Sequence, residues 1–528
     1  MKTEMPNSAQ EILAALRAQG VAVRGVSADS RRIEAGDLFV ALPGRRSDGR
    51  RHIEDALARG AAAVVWEAGT LAAEADDLAQ QLARVPHVTV TGLQKLTGAL
   101  AHEVYGHPSA QLWLCGITGT NGKTTVSQWI AQAMAGLARR CGVIGTLGNG
   151  LPGALQESTN TTPDAISTHA ELARIRAQGA QACAMEVSSI GLDQGRVDAL
   201  CFDTVVFTNL TRDHLEYHGN MMAYATAKAR LFARSEIRTA VLNLDDPLGV
   251  VLAHDLAGRQ GSARVRRIGY TLDEACPNLA GVDEFLMARN LEIRGDRLAF
   301  SVASNTTGAE AGAEGATVPT AAAQLEVPLL GRFNVANLLA VLGALLGAGV
   351  PWADALESLT HLRSPAGRLQ IVATDAARAE PLLVVDYAHT PDALEQVLKT
   401  LREVATARGG RLCCVFGCGG ERDAGKRPLM GGVAERFADV VLVTSDNPRA
   451  EDALKIMNEI LNGMRGRPQV EADRAAAIAQ TVSGLQVADV LLIAGKGHER
   501  YQEVAGQRHA FSDVEQAHQA LLAWRVPT

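Results

Sequence analysis

A glycine-rich turn between an apolar run and a helix-forming run fixes the centre of this chain: Gly119-Thr120-Asn121-Gly122-Lys123-Thr124-Thr125. It follows Leu112, Trp113, Leu114, Cys115 and Ile117, which read as a strand, and precedes Val126 to Arg139, which reads as a helix. A strand–loop–helix unit of this kind aims backbone N–H groups and a helix N-terminus at phosphate oxygens. Its lysine reaches the outer phosphates and the hydroxyl after it reaches Mg²⁺. The commoner pattern has a glycine five residues before the Gly-Lys pair, where this chain has Ile117. The loop is a shortened variant.

At 528 residues the chain exceeds a single core, so two to four domains are expected. With 47% apolar and 21% charged residues it reads as globular rather than disordered. A net charge of −7 argues against a nucleic-acid backbone as the main partner, so acidic ligands must meet local arginines and lysines. The eight cysteines form no paired CxxC motifs and are expected as buried thiols of a reduced, cytoplasmic protein. Within them, Cys413 and Cys414 alternate faces in a strand-like run, with Cys418 nearby. Residues 1–20 lack a basic start followed by an apolar core, so no leader is expected. The apolar run Leu338 to Trp352 carries three glycines. It falls short of the ~20 residues of a membrane span and reads as a core helix and its exit.

Three blocks follow, with boundaries expected at 1–92, 93–365 and 366–528. The first holds short strands and turns around Asp29-Ser30-Arg31 and Gly36 to Ala41. Leu93 to Tyr105 then reads as a helix. In the second block, apolar strands end in polar clusters: Glu186-Val187-Ser188-Ser189, Thr208 to His214, and Asn243-Leu244-Asp245-Asp246. Helical segments between them imply a largely parallel sheet, whose carboxyl ends hold ligands. Lys123, Glu186 and His214 would then share one crevice. The Ala-, Gly- and Thr-rich stretch Ala303 to Ala323 reads as a surface loop. In the third block four strands end in Asp386 to Asp392, Gly417 to Asp423, Ser445 to Arg449 and Ala494 to Glu499, which indicates a second ligand-binding edge.

Bland readings compete at single positions. Glu186 could be a solvated strand end, His214 a surface histidine, and Lys228, in the helix-forming run Tyr224 to Leu231, a solvated lysine. Asn160-Thr161-Thr162-Pro163 could cap a helix, with Pro163 in its first turn. Arg449 could be a solvated arginine at a helix start.

Taken together, the motifs resemble those of the Mur ligases, the ATP-dependent amide-bond-forming family of peptidoglycan precursor synthesis. The shortened loop Gly119 to Thr124 matches that family. So do Asp29-Ser30-Arg31, Glu186-Val187-Ser188-Ser189, Asp386-Tyr387-Ala388-His389-Thr390-Pro391-Asp392, Asp446-Asn447-Pro448-Arg449 and Gly495-Lys496-Gly497-His498-Glu499, in order along the chain. The resemblance implies a three-domain α/β protein: an N-terminal UDP-binding domain, a central P-loop-type ATPase domain with a parallel sheet, and a C-terminal Rossmann-like domain. It implies that ATP phosphorylates a substrate carboxylate and that an amine attacks the acyl phosphate.

The implied ATP contacts are Gly119, Thr120, Asn121, Gly122, Lys123, Thr124, Thr125, Asn334, Asn337, Arg368 and Asp386. Mg²⁺ would be held by Thr124, Glu186, His214 and Lys228, the last as a carbamate (N6-carboxylysine). Lys123, Glu186, His214 and Lys228 are thus the implied catalytic set. Ala28, Ser30, Arg45, Arg46 and Ser47 would hold the UDP group. Asn160, Thr161, Thr162, Ser188, Gln194 and Arg196 would line the peptide and pyrophosphate path. The expected state is a cytoplasmic monomer with small-molecule substrates, no nucleic acid and no membrane insertion.

Branches of the family add lysine or meso-diaminopimelate, which differ by one distal carboxylate. A guanidinium binds that group bidentately and repels lysine's ammonium. Arg449 occupies the position associated with this choice, alongside Arg422, Asp446, Asn447, Pro448, Gly495 and Glu499. Glu499 suits an ammonium. The expected acceptor is UDP-MurNAc-L-Ala-D-Glu and the expected amine meso-diaminopimelate. Rivals are a lysine-adding ligase, a ligase of D-Ala-D-Ala, a folylpolyglutamate synthase, and a nucleotide switch that hydrolyses ATP without an acceptor.

Overall fold

The computed structural model describes residues 5–44, 48–69, 82, 85–259, 264–274, 281–305, 321–374 and 379–526. By compactness the chain forms two units: Met1–Tyr270 with Cys276–Phe285 and Ala340–Ala355, and Thr271–Ala275 with Leu286–Leu339 and Leu356–Thr528.

The first unit opens with a four-stranded parallel sheet, Val26–Ser27, Leu38–Ala41, Ala63–Glu67 and His87–Val90, in sequence order. Helices Ala9–Ala18 and Leu93–Val104 bury Ile12, Leu16, Leu93 and Leu100 against it. The larger sheet of this unit is parallel around strand Trp113–Thr118, flanked by Ala182–Glu186 on one side and Thr204–Phe207 on the other. Cys141–Gly145 continues one side, and Thr239–Asn243 and Arg266–Thr271 the other. These strands are buried throughout most of their length, as a parallel sheet covered by helices requires. Placing Trp113–Thr118 between two later strands brings the carboxyl ends of all three together, and each ends in a polar cluster.

The second unit carries an antiparallel set, Glu284–Arg294, Arg297–Ser304 and Ala321–Val327, and a six-stranded sheet. In the latter, Val490–Ala494 lies between Leu382–Asp386 and Leu412–Phe416, with Val440–Thr444 and Gln469–Glu471 beyond, all parallel. Only the edge strand Gln370–Val372 is antiparallel. Pro391–Arg408, Lys426–Phe437 and Ala453–Leu461 cover one face, and Arg474–Ser483 and Asp513–Ala523 the other. Cys414 packs with the first layer and Cys413 with the second, the alternation expected of neighbouring strand residues. All seven cysteines among the described residues are free thiols.

Three element expectations are corrected. The loop helix runs Lys123–Gly136 rather than Val126 to Arg139: Gly122 caps it at φ 87, and Ala138 turns left-handed at φ 55 before Arg139. The core helix starts at Arg332, not Leu338, and stops at Gly347 ahead of Gly349 at φ 72; a new helix runs Trp352–Thr360. Ala303–Ser304 and Ala321–Ala323 are paired strand residues rather than loop, and 306–320 lie outside the described residues. No helix among the described residues is long and apolar enough to cross a membrane.

Candidate active site

The phosphate loop is fastened to its neighbouring strand end. Thr120 N–H donates to the Asn209 carbonyl at 2.8 Å and Asn121 N–H to Asn209 Oδ1 at 2.9 Å. Thr208 Oγ1 donates to the Asn121 carbonyl at 2.6 Å. Gly119 sits at φ 152, where a Cβ would strike the Thr208 hydroxyl and come within 3.0 Å of the Asn209 nitrogen. Only glycine fits there. Lys123 Nζ folds back over the loop, donating to the carbonyls of Gly119 and Thr120 at 2.8 Å each. The ammonium is therefore held at the loop that would receive the outer phosphates. Thr125, next on the helix, is buried.

Glu186, at the end of its strand, is 1% exposed. Thr124 Oγ1 donates to its Oε2 at 2.9 Å, Thr146 N–H to its Oε1 at 2.8 Å and Thr146 Oγ1 to its Oε2 at 3.1 Å. These donors gather the carboxylate oxygens beside the Thr124 hydroxyl. That set of hard oxygen atoms fits Mg²⁺. Nowhere among the described residues do three or more His, Cys, Asp or Glu gather as a metal-binding group, so the fit rests on one carboxylate and hydroxyls.

Lys228 is not the solvated lysine its helix position allows. It is 1% exposed, its Nζ donates to the Gly119 carbonyl at 2.8 Å, and it lies 4.3 Å over the Tyr224 ring. Burial, and then the neighbouring Lys123 ammonium, pushes its pKa down to about 6. As an ammonium it does not fit a cation-binding set; as a carbamate it would. His214 is half-exposed at φ 51, 3.5 Å from both Asp213 Oδ2 and Glu216 Oε1. Its ring meets the same Tyr224 edge-on, with centroids 6.2 Å apart. The structure thus joins Lys123 to Lys228 through Gly119, and His214 to Lys228 through Tyr224. It records no direct contact of His214 with Glu186.

Thr162 is buried and ties two strand-end residues together. Its hydroxyl donates to the Glu186 carbonyl and accepts from the Ser188 N–H, both at 3.0 Å. Ser188 caps helix Ser189–Asp193 through Gly191 N–H at 3.0 Å. Arg196 donates to the Thr162 carbonyl at 2.7 Å and holds Gln194 Oε1 with Nε and Nη2 at 3.0 and 2.7 Å. Thr161 Oγ1 lies 3.0 Å from Thr146 Oγ1, while Asn160 is exposed. The helix-cap alternative for Thr162-Pro163 is set aside, because Asp164 caps helix Ala165–Ala177 through Ser167 N–H. Thr162→Val keeps shape and loses both bonds. It should cost about 1–3 kcal/mol in chemical denaturation.

In the N-terminal sheet Ser30 is buried at the start of a short 3₁₀ turn capped by Asp29, and Ala28 beside it is exposed. Arg45, Arg46 and Ser47 lie outside the described residues.

The second unit gathers the remaining candidates at its own strand ends. Asp386 is buried, and its two oxygens accept N–H bonds from Leu369 and Ala388 at 2.8 Å each. Burial raises its pKa, against the opposing pull of Arg368 and those two N–H groups. Arg368 lies 5.1 Å over the Tyr387 ring, with its Nε buried and unpartnered. Asn334 and Asn337, buried one helical turn apart, form a chain: Asn337 Nδ2 donates to Asn334 Oδ1 at 3.0 Å, and Asn334 Nδ2 to the Leu330 carbonyl at 2.7 Å.

Arg449 takes the left-handed conformation, φ 52, pinned by its N–H to the Glu503 carbonyl at 3.0 Å and its own carbonyl to Ala505 N–H at 2.7 Å. Its Nη1 donates to the Gly420 carbonyl at 2.7 Å, and Nε is 3.6 Å from Glu503 Oε2. A Cβ on Gly419 would be 3.0 Å from Arg449 Nη1 and 3.9 Å from Arg422 Cγ, so both arginines flank that glycine. Arg422 is exposed. Asn447 donates to Glu499 Oε2 at 2.7 Å. Asp446 is buried, and its Oδ1 accepts the Asn447 N–H at 2.7 Å. Pro448 turns the loop, its carbonyl accepting from Glu451 N–H at 3.0 Å. Gly495, at φ 118, donates to the Asp386 carbonyl at 3.1 Å.

Sequence reading missed the supports of this edge. Arg474 and Asp513 form a fully buried bidentate pair at 2.7 and 2.8 Å. The remaining Arg474 donors reach the carbonyls of Ser445 and Ala494 at 3.1 and 2.9 Å. Those residues immediately precede Asp446 and Gly495. Neither charge has a local sequence signal, since each sits at the start of a helix where solvent is the default. Arg474→Met strands Asp513 and should lower unfolding free energy by about 3–5 kcal/mol.

Residues 117–345 match the Mur ligase middle domain, 367–497 the Mur ligase glutamate ligase domain and 22–105 the Mur ligase family catalytic domain. The chain is 50% identical over 508 residues to the UDP-N-acetylmuramoyl-L-alanyl-D-glutamate–2,6-diaminopimelate ligase of Pseudomonas aeruginosa, covering 96% of each. It is 48% identical to the ligase of that name from Ectopseudomonas mendocina, covering 99% of each. A solved structure of such a ligase matches with TM-score 0.66 at 35% identity, covering 95% of each chain. With this three-domain α/β fold and these relatives, the chain belongs to the Mur ligase family.

Proposed function

We propose that this protein is an ATP-dependent, ADP-forming ligase that adds meso-2,6-diaminopimelate to UDP-MurNAc-L-Ala-D-Glu in peptidoglycan precursor synthesis. The observation that carries the reading is the loop Asp446 to Arg449, in which Arg449 and Arg422 flank one glycine while Asn447 holds Glu499. It stands in a chain half identical to an enzyme named for diaminopimelate.

Lys123 and the loop N–H groups bind the outer phosphates and meet the charge that grows on the transferring phosphoryl group. Mg²⁺, held by Thr124 and Glu186 and joined by His214 and carbamylated Lys228, would supply further charge neutralisation there. Arg196, steered by Gln194 and Thr162, meets the anionic peptide. Asn334, Asn337, Arg368 and Asp386 serve the nucleotide. The γ-carboxylate of D-glutamate becomes an acyl phosphate, and the diaminopimelate amine displaces phosphate to leave a tripeptide. Arg449 and Arg422 take the distal carboxylate and Glu499 an ammonium. Ala28 and Ser30, with Arg45 to Ser47, are assigned to the UDP group. Functional boundaries near residues 92 and 365, a monomer, and a cytoplasmic setting where ATP and UDP-linked precursors meet complete the reading.

Mass analysis of the product tests it: a UDP-tripeptide should form only with ATP, the UDP-dipeptide and diaminopimelate together. ATP turnover independent of the UDP-dipeptide would instead favour a nucleotide switch. Arg449→Ala should raise the KM for diaminopimelate roughly 10–100-fold, the loss of one charged hydrogen-bond pair. The KM for ATP should stay within about twofold, since that arginine lies outside the nucleotide set; equal losses in both would remove its assigned role.

A further inference from the structure

Lys496 is a buried charge at this edge, inside the segment Gly495 to Glu499. It is 0% exposed, and its Nζ donates to Asn447 Oδ1 at 2.9 Å and to Glu499 Oε2 at 3.1 Å. Asn447 Nδ2 reaches the same Glu499 Oε2 at 2.7 Å, and Asn447 Oδ1 also accepts Glu503 N–H at 2.9 Å. The three side chains close a ring of hydrogen bonds. Both bonds to the carboxylate fall on Oε2, so Oε1 takes no hydrogen bond from the described residues. A lysine this deeply buried loses its rotamer freedom and its hydration, and only paired partners offset that. Holding Glu499 in one orientation is what this arrangement does.

Lys496 is also a cation set directly against Glu499, the carboxylate assigned to the incoming ammonium. Diaminopimelate at neutral pH carries two carboxylates and two ammoniums and is itself neutral, whereas lysine carries one net positive charge. A cation held against Glu499 disfavours the second. Removing that cation would relax the discrimination.

We propose that Lys496 is a positioning and specificity-determining residue for the incoming amino acid, acting through Glu499: it fixes which carboxylate oxygen faces the substrate ammonium and offsets part of the negative charge that would otherwise attract a cationic amino acid. The inference rests on the diaminopimelate reading of this edge and adds to it a residue that touches no substrate.

The test is steady-state ADP release by the full chain with ATP and the UDP-dipeptide, titrating meso-diaminopimelate and L-lysine. Lys496→Met should raise the KM for diaminopimelate about tenfold, the scale of one lost charge-assisted bond, and leave the KM for ATP within about twofold. The ratio of kcat/KM for diaminopimelate over lysine should fall at least about fivefold. Lys496→Arg, which keeps the charge, should retain most of that ratio. Combined with Glu499→Gln, Lys496→Met should add little further loss, because it acts through that carboxylate. Additive losses, an unchanged ratio, or equal rises in KM for ATP and diaminopimelate would each overturn the proposal. Should Lys496→Met fail to fold, Lys496→Gln decides: it keeps a donor without the charge, and an unchanged amino-acid ratio in it counts against the idea. If the unaltered chain uses no diaminopimelate, the functional reading fails first; if it does and the variants are flat, this inference alone fails.

Discussion

Lys123→Ala should lower kcat about 10³-fold, roughly 4 kcal/mol of transition-state stabilisation, with little change in thermal midpoint. Phosphoryl transfer needs little covalent help, so a cation fixed at the loop contributes mainly by meeting charge as it spreads over the transferring oxygens. The same geometry predicts an intact fold. Lys123 donates to the carbonyls of Gly119 and Thr120 in its own loop, while the loop itself is fastened by Asn209 and Thr208. A second readout is internal. Lys123 is one of the two causes that depress Lys228, so its removal should raise the pKa of that amine from about 6. ADP release and thermal unfolding on the same preparation check both halves. A loss below tenfold would remove Lys123 from the chemistry.

Lys228→Ala is expected to lose activity on a similar scale, about 10²–10³-fold, and to regain part of it with added acetate or formate. Burial beside Gly119 and Tyr224 leaves the amine neutral above about pH 6, and a neutral amine is the form that adds carbon dioxide, releasing a proton as the carbamate forms. Activity that depends on the carbamate should therefore fall as pH drops through about 6 and respond to bicarbonate. The linkage to folding has a definite sign. The unmodified amine titrates at 10.5 when exposed and about 6 when folded, so between those values the unfolded chain binds more protons and this group's contribution to stability rises with pH. Lys228→Met should flatten that slope in pH-dependent denaturation. Absence of rescue by small carboxylates, together with indifference to bicarbonate, would discard the carbamate.

Much of this was legible in the chain because the chemistry sits where strands end. Apolar runs followed by polar clusters located Glu186, Asp386 and Asp446 within two residues of the observed strand ends, since parallel strands buried on both faces leave their polar residues only at the edge. Helix starts were harder. A glycine at positive φ begins the loop helix three residues early, and conformation at Gly122 is not written in apolar periodicity. The residues that hold the site were harder still. Thr162 and Ser188 stand in recognisable motifs, yet that one hydroxyl ties the two together depends on how the turn before helix Ala165–Ala177 packs against the end of strand Ala182–Glu186. Arg474 and Asp513, 39 positions apart, read as ordinary surface charges until the fold buries them as a pair. Lys496 lies inside the motif Gly495 to Glu499, but a lysine gives no sign of burial by itself.

The most direct test compares acceptor amines: ADP release by the unaltered chain with ATP and UDP-MurNAc-L-Ala-D-Glu, using meso-diaminopimelate or L-lysine. Arg449 and Arg422 flanking Gly419 predict kcat/KM at least about 100-fold higher with diaminopimelate, equivalent to about 2.7 kcal/mol. Equal use of the two amines, or a preference for lysine, would contradict the account.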